Sequence, residues 1–524
     1  MTGSLTSTLS AVVSSRAMLV VATSAATTFV HWLVSRRRKR TLAQRVADLL
    51  CQYIDPHEQE AAPVVRLKGP DQLESIFAKN DCSLQLGGDG TALTDDELYR
   101  ACSLVLQYSV RSGSPMFFNQ LYGRADLNSV LGDWVASAMN ANVHTFEVAP
   151  VLTLMERHLL AHIAAALGPS FVAEHDGLFV PGGALGNIYA MHLARHRAAP
   201  ATHEGGMWAS APLVGFVSKE AHYSYLKAAR LLGFGSDNLV EVETDAGGAM
   251  LPSALREAVA RTVGSRRTPF FVGATAGTTV IGAFDPLREL AAVCAETKMW
   301  LHVDAAWGGA ALFSAAHRGD LDGVELADSF SWSAHKMLGA ALQCAVFITR
   351  HAHALREANA SQAAYLFQKD KMHAALDAGD KTIQCGRKAD MLKLWLLFKS
   401  LGDDGVARRV EHAYALAAYA VERINASDGA FVLTHKPSCT NVCFWYVPRS
   451  MRPLLSAEHL TTEHPLHKVA PPIKAALQRE GHSMVGFQSV GGKPNFFRWV
   501  FASTDSVSKA HVDAVLHRIA QVGG

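Results

Sequence analysis

Residues 300–339 read WLHVDAAWGGAALFSAAHRGDLDGVELADSFSWSAHKMLG, and their reading decides the fold. Two short apolar runs lie in this stretch. Trp300-Leu301-His302-Val303 leads into Asp304, and Ser329-Phe330-Ser331-Trp332 leads into His335 and Lys336. Runs of this kind predict buried strands, and the interval between them, about two helical turns and a loop, suits a crossover between parallel strands. Open α/β sheets take ligands outside the carboxyl ends of their strands, where Asp304 and Lys336 are expected.

A lysine shielded from water loses its proton more readily and can form a Schiff base. A carboxylate at the next strand end can keep a pyridinium nitrogen protonated. These are the two protein groups that pyridoxal 5'-phosphate requires, an anchor and a partner for its ring nitrogen. On spacing alone, an exposed lysine and an aspartate that caps a helix remain the alternative.

HVDAAWGG followed by DSFSWSAHKMLG resembles the group II pyridoxal-phosphate-dependent amino-acid decarboxylases, and among them the animal-type cysteine sulfinate, aspartate and glutamate enzymes. The likeness runs from about Thr91 to the C-terminus in many separate blocks. It implies a fold-type I architecture: a large α/β domain with a mostly parallel sheet and a small C-terminal α+β domain, working as a homodimer with shared active sites. The expected organisation is 1–47 as a targeting or anchor segment, 48–110 as a helical segment packing on the partner subunit, 111–400 as the cofactor-binding domain and 401–524 as the small domain.

The resemblance carries roles onto further residues. Gly182-Gly183-Ala184 precedes a helix and matches the phosphate block, where glycines and a helix N-terminus favour an anion; Gly186 stands where the family usually has serine. His222 is expected to stack on the cofactor ring, Thr275 and Thr279 to lie near it, and Ser333 and His335 to flank the Lys336 anchor. Ser333-Ala334 replaces the family's usual Asn-Pro before the His-Lys pair. Tyr365, in Ala364-Tyr365-Leu366-Phe367, is the expected proton donor to the α-carbon after CO₂ leaves. In Ser114–Tyr122, Gln120 is a donor to the distal acidic group of the substrate, and Tyr122 is an aromatic residue where glutamate decarboxylases carry a small serine. Asp380–Arg387 resembles the block that meets the neighbouring subunit's active site. Arg498, a lone cation in Asn495-Phe496-Phe497-Arg498-Trp499-Val500, needs an anionic partner if buried. The family's matching arginine binds the substrate carboxylate, and a cross-domain salt bridge is the alternative.

Composition sets limits around this reading. The chain has 524 residues, 49 basic against 47 acidic, enough for two or three domains and a large core. Near-neutral charge argues against nucleic acid as a partner. Eight scattered cysteines without a CxxC pair read as reduced thiols, and the 24 histidines form no convincing ligand cluster, so no metal is expected.

Residues 1–47 lack Asp and Glu. Ala17–Val34 is a weakly apolar run followed by Arg36-Arg37-Arg38-Lys39-Arg40. A membrane tether with its basic flank in the cytosol, an organelle-targeting segment and a disordered tail are the readings. The expected function is pyridoxal-phosphate-dependent α-decarboxylation of cysteine sulfinate or aspartate, giving hypotaurine or β-alanine, by a catalytic domain in the cytoplasm. Glutamate, giving GABA, is the runner-up. Two other classes stand further off: a membrane-anchored lyase acting on a lipid-like substrate, and an inactive cofactor-binding regulator.

Overall fold

The computed structural model describes residues 41–87, 91–361, 370–454, 459–502 and 505–524. The chain divides into two compact units at Val110/Arg111. In the first, a helix over 41–54 precedes helices Pro56–Ala61, Pro70–Lys79 and Asp95–Tyr108. The last begins where the sequence dictates. Thr94 accepts from the Glu97 N–H, and the Glu97 carboxylate accepts from the Thr94 N–H at 2.6 Å, a reciprocal cap. Residues 1–40, with the apolar run Ala17–Val34, lie outside the described residues; among the described ones no helix is long and apolar enough to cross a membrane.

The second unit contains two sheets. The larger is built from β2 (Asp176–Val180), β3 (Leu213–Ser218), β4 (Leu239–Val242), β5 (Thr268–Thr275), β6 (Trp300–Asp304), β7 (Ser329–Trp332) and β8 (Ala345–Thr349), in the order β2-β8-β7-β6-β5-β3-β4. Only β8 runs against its neighbours; the pairs β3–β4, β3–β5, β5–β6 and β6–β7 are parallel. β6 and β7 are buried along their whole length, as their continuous apolar runs require when both faces are covered. Helices Pro150–Leu167, Pro252–Gly264 and Leu287–Thr297 pack on one face, and Gly183–Ala198 and Ser224–Leu231 on the other. Each large apolar side chain fully buried there, Phe330 and Trp332 among them, stabilises by roughly 1.5–3 kcal/mol.

The β6–β7 crossover is a correction to the sequence reading. It contains no α-helix but three 3₁₀ turns, Gly308–Phe313, Arg318–Leu321 and Val324–Leu326. The reason lies in Gly308-Gly309, which pack against backbone and ring. A Cβ on Gly308 would stand 2.6 Å from the Ala276 carbonyl, and one on Gly309 2.7 Å from the Trp332 ring. The chain is pressed onto the sheet too closely for an ordinary helix.

The small sheet has the order β1-β11-β12-β10-β9, formed by β1 (Phe117–Phe118), β9 (Phe431–Leu433), β10 (Asn441–Tyr446), β11 (Met484–Gln488) and β12 (Phe496–Val500). β1, grouped with residues 111–400 in the sequence reading, pairs parallel with β11 instead. Two residues carry too little pattern to announce a strand. Helix Ala470–Glu480, with its prolines in the first turn, Lys509–Val522 and the end of Asp390–Asn425 cover this sheet. The long helix bends at Gly402 (φ 63°, ψ 175°), close to the boundary drawn at residue 401. All eight cysteines are free.

Candidate active site

The carboxyl ends of β5, β6 and β7 carry the chemistry. Asp304, the last residue of β6, stands in register with Thr275 at the end of β5. It is buried, and its two oxygens are committed separately: Oδ1 accepts from the Ala306 N–H at 3.0 Å, and Oδ2 from the Asn187 side-chain amide at 2.7 Å. Both carboxylate oxygens are thus satisfied inside the protein, and the group's orientation is fixed. Lys336 lies in the turn after β7, its N–H donating to the Ser333 carbonyl at 3.0 Å. Burial pushes its ammonium below the usual lysine range; Asp304 pulls the other way, and Arg498 adds to the depression. An amine so placed is nucleophilic at a lower pH than an exposed lysine.

His222 follows β3. Burial lowers its imidazole, Asp304 raises it, and Lys336 and Lys227 lower it further. Its Nδ1 lies 2.8 Å from the Ser224 hydroxyl and accepts the Ser224 N–H at 3.3 Å. His335 faces elsewhere: its Nδ1 meets the backbone of Cys344 at the start of β8, and burial takes its imidazole down to about 4. Its described bonds lock the Lys336 turn to β8.

The glycine turn and Ser333 converge. Gly182 has a left-handed-side φ of 138° and precedes the 16-residue helix from Gly183. A Cβ on Gly183 would meet Ala306 at 3.0 Å and the Ser333 hydroxyl at 3.4 Å. The buried hydroxyls of Ser333 and Thr275 have no hydrogen-bond partner among the described residues. An open turn at a helix N-terminus, orphan hydroxyls, an amine and a buried carboxylate form a donor set that fits pyridoxal 5'-phosphate. Ala184 is exposed beside this turn. At Gly186 a Cβ would lie 2.2 Å from the Ser331 hydroxyl, so β7 occupies the space a serine would need.

Arg498, on β12, is 9% exposed. Nη1 donates to the Thr279 carbonyl at 3.1 Å and Nη2 to the Asn119 carbonyl at 2.9 Å; Nε has no partner among the described residues. Burial lowers its guanidinium, Cys443 opposes that, and no carboxylate of a described residue pairs with it. The cross-domain salt bridge is therefore absent among the described residues. Thr279, expected beside the cofactor, offers its carbonyl to Arg498. Gly486 pairs with Arg498 across the ladder, and a Cβ there would stand 3.3 Å from the Asn119 carbonyl that Arg498 binds. Gln120 and Tyr122 are exposed just beyond Asn119, the Tyr122 ring 5.9 Å from that of Phe117. Tyr365 lies outside the described residues. The Asp380–Arg387 block is tied to the large domain by Lys381–Asp176 at 2.8 Å and by the buried Arg387–Glu156 pair.

Asn187, Ser224 and Asn119 had no assigned role in the sequence reading. Asn119 lies in the Ser114–Tyr122 stretch, Asn187 directly follows Gly186 and Ser224 stands two residues after His222, but their partners are distant in sequence and carry no local signal.

The pyridoxal-dependent decarboxylase conserved domain matches residues 89–447. Human cysteine sulfinic acid decarboxylase is 41% identical over 462 residues, 88% of this chain and 91% of that protein. The acidic amino acid decarboxylase GADL1 of Bos taurus is 42% identical over 88% of this chain and 86% of its own length. A crystal structure of mouse CSAD superposes with a TM-score of 0.86 at 38% identity, covering 92% of this chain and 98% of that one. The chain belongs to the pyridoxal-dependent decarboxylase family: it is a carboxy-lyase whose cofactor is pyridoxal 5'-phosphate.

Proposed function

We propose that this decarboxylase acts on a short acidic amino acid, cysteine sulfinate or aspartate, releasing hypotaurine or β-alanine. The observation that carries this is Arg498, a buried guanidinium held by two neutral carbonyls with its charge unanswered among the described residues. A buried cation in that state costs several kcal/mol unless an anion arrives, and a fork of donors suits a carboxylate or sulfinate. The names of the relatives, cysteine sulfinic acid and acidic amino acid decarboxylases, support the same substrate class.

The bound cofactor supplies an electron sink for the pair left behind by departing CO₂. In this reading Lys336 is the covalent anchor, and Asp304 holds the proton on the pyridine nitrogen. Gly182, Gly183 and Ser333 would take the phosphate, with Ala184 beside them, while His335 holds the Lys336 turn in place through the Cys344 backbone. His222 covers the ring face, and Thr275 offers a hydroxyl at its edge. Arg498 orients the substrate carboxylate, with Gln120 toward the distal acidic group and Tyr122 limiting pocket length. Tyr365 returns the proton to the α-carbon, away from water.

The pairing of two copies is part of the proposal. Leu127, Leu131, Val135 and Met139 recur every fourth residue on one helix, each 39–51% exposed, a stripe suited to a second copy of the chain. Residues 1–47 are proposed as a tether or targeting segment on a cytoplasmic enzyme, to be tested by fusing them to a fluorescent reporter. The deciding experiment is CO₂ release from cysteine sulfinate, aspartate and glutamate at equal concentration with cofactor present. Preference for the two shorter acids is expected; preference for glutamate would overturn the choice of a short substrate, and turnover of none would overturn the acidic-amino-acid reading.

A further inference from the structure

We propose that Asn187 is a positioning residue: through one hydrogen-bonded chain it orients the Asp304 carboxylate and, by way of Ser224, fixes the His222 proton on Nε2.

The chain begins at Trp300, whose indole Nε1–H donates to the Ser329 hydroxyl at 2.8 Å. Ser329 Oγ lies 2.9 Å from His302 Nδ1, and His302 Nε2 lies 3.0 Å from Asn187 Oδ1. Asn187 Nδ2 then reaches two acceptors, Asp304 Oδ2 at 2.7 Å and Ser224 Oγ at 2.9 Å. Ser224 Oγ ends the chain 2.8 Å from His222 Nδ1. Except for His222, which is half-buried, each of these residues is buried, so water does not complete any link.

The direction of each bond between Trp300 and Asp304 follows from the two ends. An indole N–H can only donate, and a carboxylate can only accept. Asn187 must therefore turn its amide nitrogen to Asp304 and its oxygen to His302. His302 accordingly donates from Nε2 and accepts at Nδ1 from the Ser329 hydroxyl. A neutral imidazole is required, and burial holds His302 down at about 4. On the other branch, Ser224 Oγ receives the second Asn187 hydrogen and sends its own to His222 Nδ1. The Ser224 backbone N–H points at the same nitrogen at 3.3 Å. Two donors on Nδ1 leave Nε2 as the protonated atom. The charged groups facing His222, namely Asp304, Lys336 and Lys227, do not choose between tautomers by themselves; the hydrogen-bond polarity does.

This rests on Asp304 and His222 being the groups that face the cofactor, but the tautomer can be read without it. The full-length protein labelled with ¹⁵N-histidine is examined by long-range ¹H–¹⁵N correlation, with and without pyridoxal 5'-phosphate, and His222 is identified by difference with His222→Gln. The wild type is expected to show the Nε2–H tautomer in both states. Ser224→Ala should give a mixture of tautomers and weaken cofactor binding, read by fluorescence titration, less than Asn187→Leu. Asn187→Leu should give the mixture and weaken cofactor binding roughly tenfold or more, because Asp304 loses a charge-assisted donor. A folded Ser224→Ala protein that keeps the pure Nε2–H signal would overturn the relay, as would Asn187→Leu with unchanged affinity. If Asn187→Leu does not fold, Ser224→Ala alone decides. A correct tautomer pattern together with no decarboxylation of any acidic amino acid would sink the substrate reading and leave the relay standing.

Discussion

Arg498 Nη2 donates to the backbone carbonyl of Asn119 at 2.9 Å, across 379 residues of sequence. The bond joins β12 to the segment just after β1, and it aims a buried cation at the residues that precede Gln120 and Tyr122. A neutral carbonyl satisfies one N–H but leaves the charge unbalanced. That imbalance separates a substrate-binding arginine from a structural one.

Replacing Arg498 by Met tests the difference. Loss of a charge-assisted fork predicts a fall in kcat/KM of roughly ten- to a hundredfold, carried mostly by KM. The melting temperature should hold or rise, because an unbalanced buried charge has been removed. Arg498→Lys should recover only part of the activity, since an ammonium cannot reproduce two parallel N–H bonds. A large drop in melting temperature for Arg498→Met would mark the residue as structural.

Tyr122 is 37% exposed and leans on Phe117, so its ring is free to line a pocket rather than fill a core. Tyr122→Ser should lengthen that pocket. The ratio of kcat/KM for glutamate over cysteine sulfinate is expected to rise by roughly tenfold, the scale of one or two methylenes in a fitted site. An unchanged ratio would remove Tyr122 from the specificity argument.

Gly186 and Ser331 share one space. A serine at 186 would place its Cβ 2.2 Å from the Ser331 hydroxyl and 3.0 Å from the Ser331 Cβ. Gly186→Ser alone should destabilise by about 1–3 kcal/mol through overpacking. Adding Ser331→Gly, which clears both contacts, should recover much of that loss. A denaturant double-mutant cycle reads the coupling, and strict additivity would show that the two positions do not compete.

Stability should fall on mild acidification. Burial lowers the imidazoles of His192, His302 and His335 to about 4. Between about 6.5 and 4 the unfolded chain binds protons that the folded chain does not, so stability is full above about 6.5 and declines as pH falls through that window. Each histidine contributes up to about 3 kcal/mol at the extreme. Urea midpoints measured from pH 7.5 to 4.5 should drop steadily, and His302→Gln should shallow the slope if the variant folds. A flat profile would contradict the buried neutral assignment.

Much of the architecture is legible in the chain itself. The apolar runs of β5, β6 and β7 announce a buried parallel sheet because strands covered on both faces have no polar side to show. Asp304 and Lys336 follow those runs directly, so their place at the strand ends needs no knowledge of the packing. Thr94 with Glu97 marks a helix start through bonds that span three residues, and the prolines of Ala470–Glu480 mark another because they lack the N–H that a helix interior needs. Local signals of this kind are written in neighbouring letters.

The tertiary structure alone decided what those residues touch. Asn187 meets Asp304 across 117 residues, and Arg498 meets Asn119 across 379. β1 joins β11 although it is two residues long, and the β6–β7 crossover winds into 3₁₀ turns because Ala276 and Trp332 leave Gly308 and Gly309 no room. Hydrophobic period fixes which face of a segment is buried. It does not fix which distant donor meets a buried acceptor, because that depends on where separate elements come to rest against each other.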